Sequence, residues 1–282
     1  MDSLGSSASG IYWIASYPKS GNTWVRLFTA ALRYRSKVDL TEMDGTGAMA
    51  SGRWLVERHL DLDVADLTAD EAAELRPLAY RSLVASTNTA RFCKVHDTWG
   101  RTKSGADLFP TDVTLGCIHV VRDPRDVCLS LAAHSVMSID AAIDQLADET
   151  AATAATAKRQ LRERRGSWSS HTASWEASPF RRLTLRYEDL IADPLRHFTD
   201  LATFCGFAVS EEAIVSAIAA TRFDKLAADE ALNGFRERPE GMGRFFRAGR
   251  AGQWREMLTA QQIRRIECDH GTMMAHFGYH RL

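Results

Sequence analysis

The segment YPKSGNTW, residues 17–24, places a lysine and a glycine among short polar side chains, directly after the apolar run IYWIAS of residues 11–16. Helical spacing begins within this segment and continues beyond it, so the pattern predicts a strand, a tight turn and a helix. Backbone N–H groups at the start of such a helix, together with the helix dipole, favour an anion. Gly21 allows close approach of the backbone, and Lys19 can reach over the ligand as a point charge. An ordinary β–α turn with a surface lysine is an equally good interpretation of this segment alone.

The order of residues in this turn differs from that of the common nucleoside-triphosphate loop. That loop ends GK[ST], whereas here the lysine precedes the glycine. Ser20, Asn22 and Thr23 add side-chain donors to the turn. A P-loop kinase or NTPase that binds ATP is one alternative for such a turn. A non-catalytic module that has kept a nucleotide pocket is another.

A second anion-binding pattern is VVRDPRDVCLSLAAH, residues 120–134. Arg122 ends a predicted apolar strand, and Ser130 lies about two turns into the predicted helix that follows. Open α/β folds bind ligands at the carboxyl edge of the sheet, where an arginine can hold a phosphate through two hydrogen bonds. The alternative is a solvated salt-bridge cluster, in which Asp123 or Asp126 only caps a helix or pairs with arginine.

Two further stretches contain candidate residues. RFCKVH, residues 91–96, predicts a strand that ends in His96, and a histidine can act as a general base because its unperturbed pKa of roughly 6.5 is near neutrality. His119, inside an apolar strand, illustrates the structural alternative. FFRAGRAGQW, residues 245–254, interleaves glycine and arginine and predicts a flexible anion-binding segment, with a disordered basic loop as the alternative.

Strand-like and helical runs alternate along the chain, which predicts an α/β fold with a parallel sheet covered by helices on both faces. No linker divides it, so we expect one domain over residues 11–282 after a disordered polar leader at residues 1–10. The alanine content of AATAATAK, residues 151–158, favours helix. The Gly- and Arg-rich stretch 229–252 predicts a mobile lid.

Composition limits the classes of function. The formal net charge of −1 provides no global basic field for nucleic acid or an anionic membrane. The five cysteines are scattered without a CxxC pair, which argues against zinc and fits reduced thiols in the cytosol. No signal peptide or bilayer-spanning run is evident, so we expect a cytoplasmic protein without membrane insertion.

In their order along the chain, the four stretches resemble the motifs of cytosolic-type sulfotransferases. That family uses 3′-phosphoadenosine 5′-phosphosulfate (PAPS) as donor and releases 3′-phosphoadenosine 5′-phosphate (PAP). YPKSGNTW resembles the family's 5′-phosphosulfate loop, YPKSGTTW, and VVRDPRDVCLS resembles its 3′-phosphate motif. RFCKVH resembles a strand ending in KTH, and FRAGRAGQW resembles RKGxxGDW. The motifs span residues 17–254, nearly the whole chain.

The resemblance implies a P-loop-like three-layer fold and a role for each matching residue. His96 is the implied catalytic base, with Lys19 and Lys94 beside the transferred group, and no metal is expected. Tyr187 in LRYEDL matches a residue near the adenine. The implied nucleotide-binding residues are Ser20, Gly21, Asn22, Thr23, Trp24, Arg122, Ser130, Tyr187, Thr221, Phe223, Arg247, Ala248 and Gly249.

Several features depart from the family pattern or stay open. Ala248 replaces a lysine, which shifts one 3′-phosphate contact to the backbone or to Arg250, and Gln253 replaces an aspartate. The acceptor is expected to be a hydroxyl or amine of a small molecule: a natural product, a phenol, a sugar or a lipid. Its pocket is expected to be built from residues 40–90, 135–170 and 229–250. The dimerisation motif of animal members is missing, so the oligomeric state is open and a homodimer is allowed.

Overall fold

The computed structural model describes residues 8–35, 38–43, 46–156, 159–239 and 241–281. Its strands, in chain order, are β1 (Gly10–Ser16), β2 (Ala48–Met49), β3 (Ala90–Val95), β4 (Thr114–Val121), β5 (Ala152–Thr153), β6 (Glu163–Arg164) and β7 (Arg182–Arg186). Its helices are α1 (Asn22–Arg33), α2 (Arg53–Leu60), α3 (Ala69–Ala85), α4 (Pro124–Ser135), α5 (Ile139–Ala147), α6 (Trp168–Glu176), α7 (Tyr187–Ala192), α8 (Pro194–Phe204), α9 (Glu211–Ala220), α10 (Phe223–Asn233), α11 (Trp254–Met257) and α12 (Ala260–His276).

A parallel sheet in the order β2-β3-β1-β4-β7 forms the centre of the described structure. Strand β1 pairs with β3 on one side and β4 on the other, and every residue of its sequence GIYWIAS is buried. Parallel strands covered on both faces need such continuous apolar runs. Because the strands run in one direction, their carboxyl ends meet at one edge of the sheet. Ser16, which ends β1, lies at this edge together with the residues that follow β3, β4 and β7, namely His96, Arg122 and Tyr187.

Helices cover both faces of the sheet and create separate cores. On one face Phe28 of α1 stacks on Phe198 of α8, with ring centroids 3.9 Å apart. On the other face Tyr80 of α3 and Trp175 of α6 belong to a core that includes Trp13 of β1. A further core joins α4, α5 and α12. The predicted α/β three-layer architecture is confirmed.

The expected helix at residues 151–158 is wrong. Strand β5 lies in this segment and pairs antiparallel with β6, while α5 ends at Ala147. The hydroxyl oxygen of Thr156 accepts hydrogen bonds from the N–H groups of Arg159 and Gln160, which closes the turn between the two strands. Pairing across the hairpin and this threonine contact outweigh the helical preference of alanine. Residues 157 and 158 lie outside the described residues.

The boundaries of two other predicted segments differ in detail. Strand β1 begins at Gly10, inside the predicted leader, and residues 1–7 lie outside the described residues. Helix α10 extends to Asn233, so the irregular part of the predicted lid begins at Gly234. The mobility of this segment stays a prediction. Within the described ranges no single helix is long and apolar enough to cross a membrane, although α4 and α5, bent by 116°, pass that test together on length and composition.

Candidate active site

A cavity of about 1500 Å³ opens at the carboxyl edge of the sheet. Lys19, Lys94 and His96 line it. So do most of the residues predicted to bind the nucleotide: Gly21, Asn22, Thr23, Trp24, Arg122, Ser130, Tyr187, Thr221, Phe223, Arg247, Ala248 and Gly249. Residues more than 200 positions apart in sequence therefore share one cavity, as the motifs required.

The turn between β1 and α1 has the features of an anion cradle. Gly21 caps the helix with φ 108° and Lys19 has φ 71°, so both occupy the left-handed side of backbone space. The backbone N–H groups of Gly21, Asn22 and Thr23 find no acceptor among the described residues. The hydroxyl of Ser20 is fully buried and likewise has no partner in the part of the chain that is described. Buried donors of this kind are normally satisfied, which indicates a ligand.

The side chain of Asn22 is committed to the protein. Its Nδ2 donates to the carbonyl oxygen of Ile14 at 2.8 Å and to the hydroxyl of Ser16 at 3.2 Å. These bonds tie the start of α1 to the end of β1. The predicted contribution of Asn22 to anion binding therefore falls to its backbone N–H.

The amino group of Lys19 lies over the cavity in an apolar and cationic environment. Its Nζ is 3.2 Å from Nδ1 of His134 and 4.0 Å from the ring centroid of Phe245. Burial lowers the pKa of Lys19 to about 7, and the charges of Lys94 and Arg122 act in the same direction. The sequence did not single out His134, which reaches the site from the last turn of α4.

His96 has the hydrogen-bonding pattern of a general base. Its Nδ1 lies 2.8 Å from the carbonyl oxygen of Ser16. A carbonyl oxygen can only accept, so Nδ1 carries the hydrogen and Nε2 keeps its lone pair. Burial, followed by the charge of Lys94, lowers the pKa of His96 to about 3. The imidazole is therefore neutral at neutral pH, and its Nε2 can accept a hydrogen bond.

An ion-pair network joins α1, β3 and the segment after Gly234, within which Glu237 lies. Arg26 donates to both carboxylate oxygens of Glu237 at 2.9 and 3.0 Å, and Nζ of Lys94 lies 3.5 Å from the same carboxylate. The guanidinium of Arg26 also donates to the carbonyl oxygen and to the hydroxyl oxygen of Thr46. Burial alone would raise the pKa of Glu237, but Lys94 and Arg26 lower it to about 2. Arg26 lies among the buried residues of α1, and a charged residue on the apolar face of a predicted helix was the sequence feature that could have indicated this network.

Arg122 lines the cavity after β4 and is held only by long contacts, which include Asp126 at 3.9 Å. Its guanidinium donates to the carbonyl oxygens of Lys19 and Arg250, both at 3.3 Å, and its Nε has no partner among the described residues. It lies 4.4 Å from the ring centroid of Tyr187. The hydroxyl of Ser130 faces the same cavity and makes no hydrogen bond within the described chain. By contrast, Asp123 caps α4 and pairs with Arg125, which confirms its structural interpretation.

Aromatic rings form the part of the cavity predicted for adenine. The ring of Trp24 packs edge-on against Tyr187 and Phe198. The ring of Phe223 packs so closely on Gly249 that an added Cβ would lie 2.2 Å from it. Thr221 is fully buried, and its hydroxyl donates to the carbonyl oxygen of Ala217. Its hydroxyl proton is therefore already used within α9.

Asp126 positions the late glycine-rich segment. Its carboxylate accepts the N–H groups of Gly252 at 2.6 Å and Trp254 at 3.1 Å. Arg247 lines the cavity and donates to Gln253 at 3.3 Å. Arg250 pairs with Glu256 at 2.8 Å on the exposed surface, so its side chain is not in position to replace the lysine absent at Ala248.

The remaining wall of the cavity combines aromatic and charged side chains. Trp168, which belongs to the stretch 135–170 expected to build the acceptor pocket, lies fully buried in the core of α4, α5 and α12. Trp54 and Phe245 do line the cavity. Glu163 and Arg165, which were not singled out from the sequence, are buried and line it from the β5–β6 hairpin. Neither Glu163 nor Arg165 belongs to a recognisable sequence motif, so only the tertiary structure shows that they line the cavity.

Comparison with known proteins decides the family. The family model described as "Sulfotransferase domain" matches residues 11–278. The chain belongs to the sulfotransferase family. It is 25% identical to cytosolic sulfotransferase 17 of Arabidopsis thaliana, over 91% of this chain and 72% of that protein. It is 27% identical to flavonol 3-sulfotransferase of Flaveria bidentis, over 90% of this chain and 78% of that protein.

Solved structures confirm the fold of this sulfotransferase. Mouse sulfotransferase SULT7A1 complexed with PAP aligns with a TM-score of 0.61 at 17% identity, over 94% of this chain and 84% of that one. Retinol dehydratase in complex with androsterone and PAP aligns with a TM-score of 0.63 at 20% identity, over 95% and 81% of the two chains. The protein is a PAPS-dependent sulfotransferase, and the comparisons do not favour the kinase alternative.

Proposed function

We propose that His96 is the catalytic base and that Lys19 and Lys94 stabilise the transferred group. The observation that carries this proposal is the hydrogen bond from Nδ1 of His96 to Ser16, which leaves Nε2 as an acceptor in the cavity that Lys19 and Lys94 also line. His96 takes the proton of an acceptor hydroxyl or amine as the acceptor atom bonds to sulfur. The bond between sulfur and the bridging oxygen breaks, and PAP leaves with the electron pair. Lys19 offsets the negative charge that develops on that oxygen.

The donor nucleotide is held at two separate places in this proposal. The free N–H groups of Gly21, Asn22 and Thr23 and the orphaned Ser20 hydroxyl bind the 5′-phosphate. Arg122, with its unpartnered Nε, and Ser130 bind the 3′-phosphate. Trp24, Tyr187 and Phe223 surround the adenine, whereas Thr221 contributes only its oxygen and methyl group.

The late segment completes the nucleotide site. Arg247 lines the cavity beside Ala248 and Gly249, and Asp126 holds the neighbouring backbone in place. The Gly249 backbone supports the ring of Phe223. The side chain of Arg250 is paired with Glu256. The 3′-phosphate contact that a lysine makes in the family motif is therefore made here by backbone N–H groups near Ala248 and by the side chain of Arg247.

We further propose a small-molecule acceptor and a cytoplasmic location. The flavonol 3-sulfotransferase and cytosolic sulfotransferase relatives support this direction. The lid beyond Gly234 closes over the acceptor, since Glu237 and Phe245 on it already contact Arg26 and Lys19 across the cavity. Sulfonyl transfer needs no metal here, because the transferred group carries less charge than a γ-phosphate.

The direct test measures nucleotide binding and transfer together. Calorimetry compares PAP, AMP and ATP, and radiolabelled PAPS reports transfer to 2-naphthol and 4-nitrophenol, each with and without EDTA. We expect PAP to bind most tightly and transfer to be insensitive to EDTA. Tighter binding of ATP than of PAP, or transfer that EDTA abolishes, would overturn the proposed nucleotide roles.

A further inference from the structure

The β5–β6 hairpin presents alternating side chains to the cavity. Glu163 and Arg165 are buried and line it, whereas Arg164 between them is exposed. A strand with period two produces this arrangement, since alternate residues share a face. Glu163 accepts a hydrogen bond from Ser51 at 2.7 Å and is thereby held by the protein. Arg165 has no comparable charged partner.

The guanidinium of Arg165 is buried and forms no ion pair with a described residue, although its charge, after the hydrogen bonds from Thr150, contributes to the lowered pKa of the exposed Asp148. Its side chain belongs to a residue that is only 7% exposed. Its Nη2 donates weakly to the carbonyl oxygen of Ala152 at 3.4 Å. In the orientation that satisfies the Gln145 amide, the oxygen of that amide lies 2.6 and 3.2 Å from Nη2 and Nη1. Its Nε has no partner, and no carboxylate of the residues the structure describes lies within 4.0 Å of it.

Other buried arginines show what this protein normally does with such a charge. Arg26 pairs with Glu237, Arg76 with Asp97, and Arg125 with Asp123. Each of these contacts is 2.9 Å or shorter. Burying a cation without an anion is expensive, by several kcal/mol. Arg165 is closer to Arg122, which has only a long ion pair of 3.9 Å with Asp126 and whose free Nε we assign to the donor nucleotide.

The donor nucleotide does not supply the missing partner of Arg165. Its phosphates are assigned to the β1–α1 turn and to the Arg122 and Ser130 pair, which are built on other elements. Among the described residues, the hydrogen bonds of the Arg165 side chain go to Ala152 of the hairpin and to Gln145 of α5. Both belong to the stretch 135–170 from which the acceptor pocket was expected to be built. The partner of Arg165 therefore belongs to the second substrate.

We propose that Arg165 binds a carboxylate of the acceptor, so that the enzyme sulfonates a hydroxy acid or amino acid-type small molecule. Its Nε–H has no acceptor among the described residues, and a carboxylate oxygen can accept such a charge-assisted hydrogen bond. Arg165 and His96 line the same cavity, so one acceptor molecule can reach both residues. This inference rests on the proposed role of the cavity in sulfonyl transfer and adds the class of acceptor.

The test compares acids with amides of the same shape. The probes are 4-hydroxybenzoate, 4-hydroxyphenylacetate and 3-(4-hydroxyphenyl)propionate, each beside its neutral primary amide. Transfer from labelled PAPS gives kcat/KM, and calorimetry on the PAP-saturated enzyme gives affinity without turnover. In the unmodified enzyme we expect at least one acid to exceed its amide about tenfold, as a charge-assisted contact allows. The ratio should fall to near one in Arg165→Gln.

Arg162→Gln is the matched control, because Arg162 is exposed, lies on the same hairpin and does not line the cavity. It removes the same charge and should keep the acid preference. The inference is overturned if no acid is preferred over its amide, if neither series binds, or if Arg165→Gln keeps the preference. PAP binding in each variant verifies the fold. Loss of PAP selectivity in the unmodified enzyme would instead overturn the proposed nucleotide site, so the two failures are distinguishable.

Discussion

Nδ1 of His96 lies 2.8 Å from the carbonyl oxygen of Ser16, the last residue of the central strand. The two residues are 80 positions apart, and the adjacent parallel pairing of β1 with β3 brings them together. The sheet itself therefore sets the tautomer of the proposed base. Since the acceptor is a backbone oxygen, mutation of Ser16 alone cannot remove this contact.

His96→Ala should lower turnover by about 10²–10⁴-fold, the range typical of a lost general base. PAP affinity should stay within about twofold, because His96 makes no contact with the proposed phosphate donors. Labelled PAPS with 2-naphthol measures turnover, and calorimetry measures PAP binding. His280→Ala changes an exposed histidine outside the cavity and serves as control. Near-normal turnover in His96→Ala would remove it as the base.

Arg122→Ala should weaken PAP by about 10–100-fold, since a hydrogen bond to a charged group contributes roughly 1.5–3 kcal/mol. AMP, which has no 3′-phosphate, should lose little affinity. Ser130→Ala should show the same selectivity with a smaller effect. Calorimetry with both nucleotides measures the difference, and Arg196→Ala on the exposed face of α8 is the charge-matched control. Equal losses for PAP and AMP would contradict a 3′-phosphate role for Arg122.

Lys19 should make PAP binding depend on pH near neutrality. Its pKa is lowered to about 7 in the free protein, mainly by burial, so the amino group loses its proton as pH rises through that value. A bound anion favours the charged form, so affinity should be highest below pH 7 and fall by up to about tenfold per pH unit above it. Lys19→Arg keeps its charge and should flatten the profile. A profile of the unmodified enzyme that is flat from pH 7 to 9 would contradict this role of Lys19.

The residues found from sequence share one physical property. His96, Arg122 and Lys19 each follow a strand that the sequence predicted, so strand prediction places them at one edge. Tyr187 also follows a parallel strand, but only the resemblance to the family motif identified it. That edge, the nucleotide turn and the order of layers were all predictable. The motif match also located Ser20, whose buried and unpartnered hydroxyl the structure then revealed.

Residues brought in by tertiary packing could not be found in the same way. His134 reaches Lys19 from the far end of α4, and Glu237 reaches Arg26 across 211 positions. Arg165 lines the cavity because β5 and β6 form a hairpin. The alanine-rich sequence of β5 predicted a helix instead, since the helical preference of alanine is weaker than the pairing of the two strands. Asn22 lies in the turn as the motif predicted, but its side-chain amide donates to the carbonyl oxygen of Ile14 and not into the cavity.

Glu237→Gln tests whether residues beyond Gly234 act as a lid held by charge. Glu237 pairs with Arg26 and Lys94 in a mostly buried position, so loss of its charge should weaken the anchor by roughly 1–3 kcal/mol. Hydrogen exchange of the backbone amides of residues 235–238 should accelerate about tenfold. Glu256→Gln breaks the exposed pair with Arg250 farther along the chain and should leave exchange at residues 235–238 unchanged. Equal protection in Glu237→Gln and the unmodified protein would mean that aromatic packing of Phe235, Phe245 and Phe246 alone holds the segment closed.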